Sequence, residues 1–178
     1  LLITERVAVV LGLFIADGHA PKDDTGTSIW HLSSGYKERH VQLVCDFAKD
    51  LGLSYKVRRS GKSIDILIYS TQLAKALRHY FYAGSVKCVP DLILTSNNRV
   101  KSAFLFGWYE GDGKHLEDVT KAFGISTSSN YAALSAYDIY LSLKVYPGFR
   151  VEPPSKKGVL ETYVVECRNW DVKRLGWD

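Results

Sequence analysis

Apolar positions along the chain recur first at helical and then at strand spacing, and the same order of segments occurs twice. The first series begins with a nearly continuous apolar run that follows Thr4, a residue suited to cap a helix. Alternation around Trp30 and Leu32 then indicates a strand with one buried face. The pattern predicts a helix over 5–16, a loop or short edge strand over 19–26, a strand over 27–34, a helix over 37–51, a hairpin of 55–59 and 63–69, and a helix over 71–82.

The second series follows the first at nearly constant offsets, which indicates an internal duplication. Leu32 corresponds to Ile125 at an offset of 93, and Ile66 corresponds to Val165 at an offset of 99. The additional residues fall in the tip of the second hairpin, around 153–158. We therefore expect an N-terminal repeat over 1–83, a linker over 84–98 and a C-terminal repeat over 99–178, with a third helix clear only in the first repeat.

Each series opens with a similar apolar nonapeptide, at 10–18 and at 105–113. Both contain two small residues four positions apart, which lie on one face of a helix and allow two helix backbones to approach closely. Both end in an acid followed by glycine, and Gly18 stands where a C′ glycine ends a helix. The predicted helix interface consists of Gly12, Ala16, Gly107 and Gly111.

Packing of these two helices would place Asp17 beside Asp112. Like charges a few ångströms apart require a raised pKa or a cation between them. A hard divalent ion bound by the two carboxylates and nearby carbonyl oxygens would satisfy this requirement. The alternative is that each aspartate only caps or solvates a helix end.

Basic residues cluster in both predicted hairpins, a pattern suited to tracking phosphates and reading guanine in a major groove. A basic hairpin can also protect a sheet edge from aggregation. Strand alternation places Trp30, Leu32, Phe123 and Ile125 toward the core and the residues between them on the opposite face. This opposite face and the two basic hairpins are therefore candidate ligand-binding surfaces.

Composition narrows the function classes further. The 178-residue chain has a net charge of +4 and a pI near 8.9, which is compatible with a polyanionic partner. Its three cysteines show no C-x-x-C spacing and its histidines no paired-ligand spacing, so a disulfide framework and a zinc site are not indicated. No apolar run reaches the roughly 20 residues of a membrane span. We expect no membrane association, and a cytoplasmic location in a prokaryote or the matrix of an organelle.

Both nonapeptides resemble the motif of the LAGLIDADG homing endonucleases, in the arrangement of the monomeric, pseudo-symmetric members. The small and acidic positions match, Ile15 replaces the first acid of the motif, and Glu110 keeps an acid there at a position that does not bind metal in the family. The resemblance implies an α+β fold of tandem αββαββ(α) repeats. In that fold the motif helices pack centrally, and two antiparallel sheets form a pseudo-twofold saddle over the DNA major groove. The DNA-binding residues that the resemblance implies are Ile29, His31, Ser33, Ser34, Lys56, Arg58, Arg59, Lys62, Asp65, Ser126, Arg150, Lys156 and Lys157.

The resemblance also implies the chemistry. Asp17 and Asp112, with carbonyl oxygens of Ala16 and Gly111, would bind two or three Mg²⁺ ions, for which Mn²⁺ would substitute. Lys87 resembles the active-site lysine of the family in location, and Lys114, or alternatively His115, is the candidate for the other half.

The predicted function is site-specific cleavage of double-stranded DNA, one phosphodiester on each strand, leaving short 3′ overhangs. No intein splicing blocks flank the motifs, so we expect a free-standing, intron-encoded monomer. The alternative is an intron RNA maturase, or a nucleic-acid-binding protein of the same fold that has lost cleavage.

Overall fold

Within the residues that this computed structural model describes, 3–22, 25–113, 123–154 and 160–177, helices and strands form two similar series. The first comprises α1 (Glu5–Asp17), β1 (Gly18–His19), β2 (Thr27–Ser33), α2 (Val41–Asp50), β3 (Ser54–Ser60), β4 (Ser63–Tyr69) and α3 (Thr71–Phe81). A connection with β5 (Tyr82–Ala83), β6 (Val86–Lys87) and α4 (Asp91–Leu94) follows. The second series comprises α5 (Asn98–Asp112), β7 (Phe123–Thr127), α6 (Asn130–Ser142), β8 (Gly148–Glu152), β9 (Thr162–Cys167) and α7 (Asn169–Leu175).

The motif helices α1 and α5 begin at side-chain caps and pack directly on each other. Thr4 accepts a hydrogen bond from the Val7 amide at 3.3 Å, as predicted, and Asn97 accepts one from the Val100 amide at 3.1 Å. A Cβ added to Gly12 would lie 2.2 Å from the Phe104 carbonyl oxygen. Backbone of one helix therefore lies directly against backbone of the other, and the predicted central packing of motif helices is confirmed.

Gly18 has a different role from the predicted C′ glycine, and Gly113 resembles it. Gly18 is extended, with φ −85° and ψ 157°, so it is not a left-handed C′ residue. A Cβ at Gly18 would lie 2.1 Å from the Phe14 ring, and one at Gly113 would lie 2.2 Å from the Tyr109 carbonyl oxygen. Close packing against the last turn of the helix, rather than a positive φ, requires glycine at both positions.

Three strands of the first sheet, β2-β4-β3, have the same order as the three strands of the second, which confirms the α+β fold class with antiparallel sheets. The first sheet has the order β1-β2-β4-β3, and the second has the order β7-β9-β8. Gly18 pairs with Trp30 in the first half, and the glycine at the same motif position, Gly113, pairs with Ile125 in the second. Ile125 therefore corresponds to Trp30 at an offset of 95, and the predicted match to Leu32 is wrong by two residues.

Two further elements differ from the predicted ones. The segment after β2 begins with a 3₁₀ helix, Tyr36–His40, and becomes α-helical only at Val41. The second series also ends in a third helix, α7, which the pattern of the sequence did not show clearly. None of the described helices is long and apolar enough to cross a membrane.

Candidate catalytic and nucleic-acid-binding site

The crossing of α1 and α5 brings the two motif acids to one place. A Cβ at Gly111, next to Asp112 in the chain, would lie 2.2 Å from the Cβ of Ala16 and 3.4 Å from a carboxylate oxygen of Asp17. Burial, and secondly the negative charge of Asp17, raise the pKa of Asp112 from 3.8 to about 6, whereas Lys87 and Lys37 act to lower it. The two aspartates are therefore electrostatically coupled, since the negative charge of Asp17 destabilises the ionised carboxylate of Asp112.

Lys37 lies against the first motif acid, and sequence reasoning did not identify it. Its ammonium contacts Asp17 Oδ2 at 2.6 Å, and its side chain is only 12% exposed. Lys37 belongs to the 3₁₀ helix between β2 and α2. The signal in the sequence is a lysine at the strand-to-helix connection, but the segment is polar throughout and does not single out one residue.

Lys87 reaches the same region from the connection between the two halves. Its ammonium donates to three carbonyl oxygens at the end of α1, those of Phe14 at 3.1 Å, Ile15 at 2.9 Å and Ala16 at 3.2 Å. Cations at a helix C-terminus are favoured by the helix dipole. Burial lowers the pKa of Lys87 from 10.5 to about 8, and the charges of Asp112 and Asp17 partly oppose this effect.

A cleft of about 830 Å³ opens beside Asp112 and Lys87. His19 and Arg78 line it from the first half, and Ser126 lines it from the second. The cleft lies between the repeats, so a ligand within it would contact both halves. Asp112 thus lines this cleft, whereas the carboxylate of Asp17, which is 21% exposed, is bound by Lys37.

The two acids fit a divalent cation by their chemistry. Among the described residues, no three or more His, Cys, Asp or Glu side chains are placed so that they could hold one metal ion, so ligands beyond the two carboxylates would have to be carbonyl oxygens or water. A cation between the carboxylates would remove the repulsion that raises the pKa of Asp112. The carbonyl of Ala16, one of the predicted ligands, already accepts from Lys87.

Glu110, the additional acid of the second motif, connects the two repeats. It is 2% exposed and lies 2.6 Å from Nε2 of His40 and 3.1 Å from Nε of Arg39, both at the end of the 3₁₀ helix in the first half. Burial alone would raise the pKa of Glu110, but hydrogen bonds from His40 and Arg39 outweigh it and hold the pKa below its ordinary value. Hydrogen bonds with Arg39 and His40 satisfy the Glu110 carboxylate, so it does not need a metal ion as a partner.

The face of the first sheet opposite the core carries a row of polar side chains. His31, Asp65 and Arg58 are neighbours across β2, β4 and β3, and Ile29, Leu67 and Lys56 form the next row. Nδ1 of His31 lies 2.9 Å from Asp65, which also accepts from Ser63 at 3.1 Å. These hydrogen bonds orient His31 and leave the exposed Lys56 and Arg58 available for phosphates or base edges.

The second sheet has an equivalent row with different chemistry. Ser126, Val164 and Arg150 are cross-strand neighbours at the positions of His31, Asp65 and Arg58. Arg150 is held by Glu166 at 2.5 Å and by Glu152 at 2.9 Å. Its guanidinium is therefore partly neutralised and fixed in direction, in contrast to Arg58.

The structure separates the remaining candidates. Arg59 lies on the face that carries Leu32 and Ile64 and pairs with Glu38 at 2.8 Å, away from the row of Arg58. Ser33 and Ser34 lie at the end of β2 by the hairpin turn that contains the exposed Lys62. Four predicted residues lie outside the described part of the chain, namely Lys114, His115, Lys156 and Lys157.

Comparison with known proteins gives structural matches only. No protein-family model matches the sequence, and neither does any curated protein. A mesophilic variant of the homing endonuclease I-DmoI matches with a TM-score of 0.70 and 16% identity, over 98% of this chain and 95% of that one. I-DmoI in complex with DNA and Ca matches with a TM-score of 0.69 and 15% identity, over 96% and 87%.

A second kind of protein shares this architecture. The N-terminal LAGLIDADG domain of DUF199/WhiA matches with a TM-score of 0.61 and 12% identity, over 99% of this chain and 85% of that one. Two proteins of different kinds thus share the paired motif helices and flanking sheets described above. The chain has the fold of the LAGLIDADG homing endonuclease family, as its two motifs predicted.

Proposed function

We propose that this protein is a site-specific, divalent-metal-dependent endonuclease that cuts both strands of a DNA target. The observation that carries the proposal is the juxtaposition of Asp17 and Asp112 at the ends of two packed helices, with a buried lysine beside them from each of two different elements. A protein that only binds nucleic acid has no need for a carboxylate whose ionisation costs free energy, as that of Asp112 does.

The residues divide into those that would hold ions and those that would hold DNA. Asp17 and Asp112 would bind Mg²⁺, which supplies an activated water and neutralises charge on the leaving oxygen. Lys37 would exchange its contact with Asp17 for a phosphate oxygen when an ion occupies the carboxylate. Lys87 would face the scissile phosphate in the cleft beside Asp112, held by the end of α1.

Exposed basic residues on the first sheet support the proposal of a DNA partner. Lys56, Arg58 and Lys62 are exposed on or beside the face of the first sheet that lies opposite the core. Contacts of this kind supply salt-dependent affinity, and an arginine such as Arg58 can read guanine by two hydrogen bonds. Because the solved I-DmoI structures include complexes with target DNA, the same face is proposed to bind DNA in this chain.

The test is cleavage by the purified protein. One substrate is the uninterrupted junction of the gene that carries this coding sequence, and a second is a pool of random duplexes recovered by binding in EDTA. Addition of Mg²⁺ should produce two nearby strand breaks. Asp17→Asn and Asp112→Asn should lose cleavage and keep DNA affinity, whereas Asp138→Asn, on the exposed face of α6, should cleave normally. Duplex binding without breaks under any divalent ion, or preference for intron RNA, would refute the nuclease proposal.

A further inference from the structure

Ser129 makes two hydrogen bonds with chemically different requirements. It is the N-cap of α6, and its hydroxyl oxygen accepts from the Ala132 amide at 3.1 Å. The same hydroxyl donates its proton to the backbone carbonyl of Lys87 at 2.6 Å. Ser129 is 4% exposed, and its own amide donates to the Thr127 hydroxyl at 3.2 Å. The cap needs only an acceptor, whereas the bond to Lys87 needs a donor.

The bond to Lys87 holds the backbone of a residue whose side chain lies at the motif acids. Lys87 is the last residue of β6, and its ammonium bonds the carbonyls at the end of α1 and lies 5.7 Å from the centre of the Phe14 ring. The second repeat thus holds the Lys87 backbone through Ser129, and the first repeat holds its amine. Loss of either attachment would let Lys87 shift within the cleft, although its pairing with Tyr82 keeps its backbone beside β5.

Comparison of the two halves shows why the hydroxyl matters. At the offset of 95 set by strand pairing, Ser129 corresponds to Ser34, which is exposed. In the first half this strand-to-helix connection continues into the 3₁₀ helix, and that helix carries Lys37 to Asp17. In the second half α6 begins immediately after Ser129, so the connection is too short to carry a lysine of its own.

We propose that Ser129 is a positioning residue for catalysis, which holds Lys87 at the Asp112 side of the cleft through its hydroxyl proton. Each strand-to-helix connection then places a lysine near a motif acid. The first connection contains Lys37 itself, and the second holds Lys87, which comes from the segment that links the two halves. This inference rests on the proposed endonuclease function for its catalytic consequence, but the positioning itself does not depend on it.

Four substitutions distinguish the helix-capping role of the Ser129 hydroxyl from its role as the hydrogen-bond donor to the Lys87 carbonyl. Asn and Asp cap helices about as well as Ser, so both should keep α6 intact. Ser129→Asn can still donate to the Lys87 carbonyl, whereas Ser129→Asp can only accept and would repel it. Ser129→Thr should retain both bonds, and Ser129→Ala should lose both.

The first measurement is the NMR signal of the Lys87 side chain in protein labelled at lysine Cε, assigned with Lys87→Arg. In the wild type and in Ser129→Asn, the Phe14 ring should displace this signal from the other lysines. In Ser129→Asp with unchanged thermal stability, that displacement should be lost. A displaced Lys87 signal in Ser129→Asp, or equal loss in Ser129→Asn, would overturn the proposal whether or not the protein cuts DNA.

The second measurement is single-turnover cleavage of each strand by preformed complexes. Misplacement by about 1 Å costs on the order of 100-fold in rate, so Ser129→Asp should slow one strand about 10- to 100-fold, with DNA affinity unchanged. Equal slowing of both strands would contradict a role specific to the Asp112 side. If the wild type cuts neither strand, the endonuclease proposal fails and the NMR result alone decides the role of Ser129.

Discussion

Replacement of Asp112 by asparagine should stabilise the folded protein at neutral pH, because the native structure penalises the charged carboxylate. Burial and the charge of Asp17 raise the pKa of Asp112 from 3.8 to about 6. Asparagine has the same shape and no charge to desolvate. The variant therefore removes the penalty while leaving the packing around Gly111 unchanged.

The magnitude follows from the two pKa values. The difference between 3.8 and about 6 corresponds to about 3 kcal/mol. Part of this gain is lost because the ammonium of Lys87 would no longer have Asp112 nearby to stabilise it. We expect a net increase in the free energy of unfolding of about 2 kcal/mol, which is about 4–8 °C in Tm for a chain of this size.

The pH dependence of the gain has a definite sign. The folded state binds the Asp112 proton more tightly than the unfolded state, so the wild type loses stability as the pH rises from about 4 to about 6. Above about pH 6 the full cost of burying the charged Asp112 carboxylate is present, and below about pH 4 it is absent. The variant does not titrate at this position, so its advantage should be largest at pH 7.5 and vanish near pH 4.

Urea unfolding in EDTA at pH 7.5, 5.5 and 4 measures this difference, with Asp138→Asn as the exposed control. Mg²⁺ should then narrow the gap, since it binds only the wild type strongly, and a ligand at 100 times its Kd adds about 2.7 kcal/mol. If Asp112→Asn is no more stable than the wild type at pH 7.5, or if its gain is the same at all three pH values, the burial and charge argument is refuted.

Three further predictions concern the interface, the first acid and the sheets. Gly107→Ala would place a Cβ 2.1 Å from a backbone carbonyl of α1 and should destabilise the fold by about 1–3 kcal/mol in thermal unfolding, whereas Gly124→Ala, whose nearest neighbour is at 3.5 Å, should have little effect. Lys37→Met should impair the centre at the first motif acid, so nicked circles should accumulate from a supercoiled target plasmid before linear product. Arg58→Ala should reduce the slope of log affinity against log salt by about 1, and Arg150→Ala should reduce it less because two glutamates already neutralise that guanidinium.

Each of these predictions has an outcome that would contradict it. Unchanged unfolding of Gly107→Ala would show that the helices can separate without cost. Direct formation of linear product by Lys37→Met would remove any role for that lysine in one strand. Equal salt slopes for the two arginine variants would mean that the glutamates release Arg150 when DNA binds.

The helix packing was predictable because glycine costs stability inside a helix, and close approach of a second backbone is what compensates for it at Gly12 and Gly107. The position of Ile125 was misaligned because strand alternation repeats every two residues, so a shift of two preserves the hydrophobic pattern. The pairing of Gly113 with Ile125 resolves that ambiguity, and the pairing of Ile125 with Val165, where Trp30 pairs with Ile66, agrees with it.

The lysine beside the first acid was not predictable from periodicity. Lys37 is polar in a polar segment, and its position depends on a 3₁₀ turn that local pattern does not distinguish from the start of an α-helix. The partners of Glu110 were not predictable for a related reason, since Arg39 and His40 lie about 70 residues away in the chain. Contacts between the halves depend on how the repeats dock, which no single segment encodes.

The Glu110 contact makes the two halves unequal partners. At the same position of the first motif the chain has Ile15, which is buried and uncharged. A symmetric pair of first halves would leave Arg39 and His40 without their carboxylate, and a symmetric pair of second halves would bury two carboxylates without their cations. The second pairing leaves buried charge uncompensated, at a cost of several kcal/mol, whereas the first costs less because the Arg39 side chain is 58% exposed. Each half is therefore matched in charge to the other half rather than to a copy of itself, which disfavours a symmetric pairing of like halves.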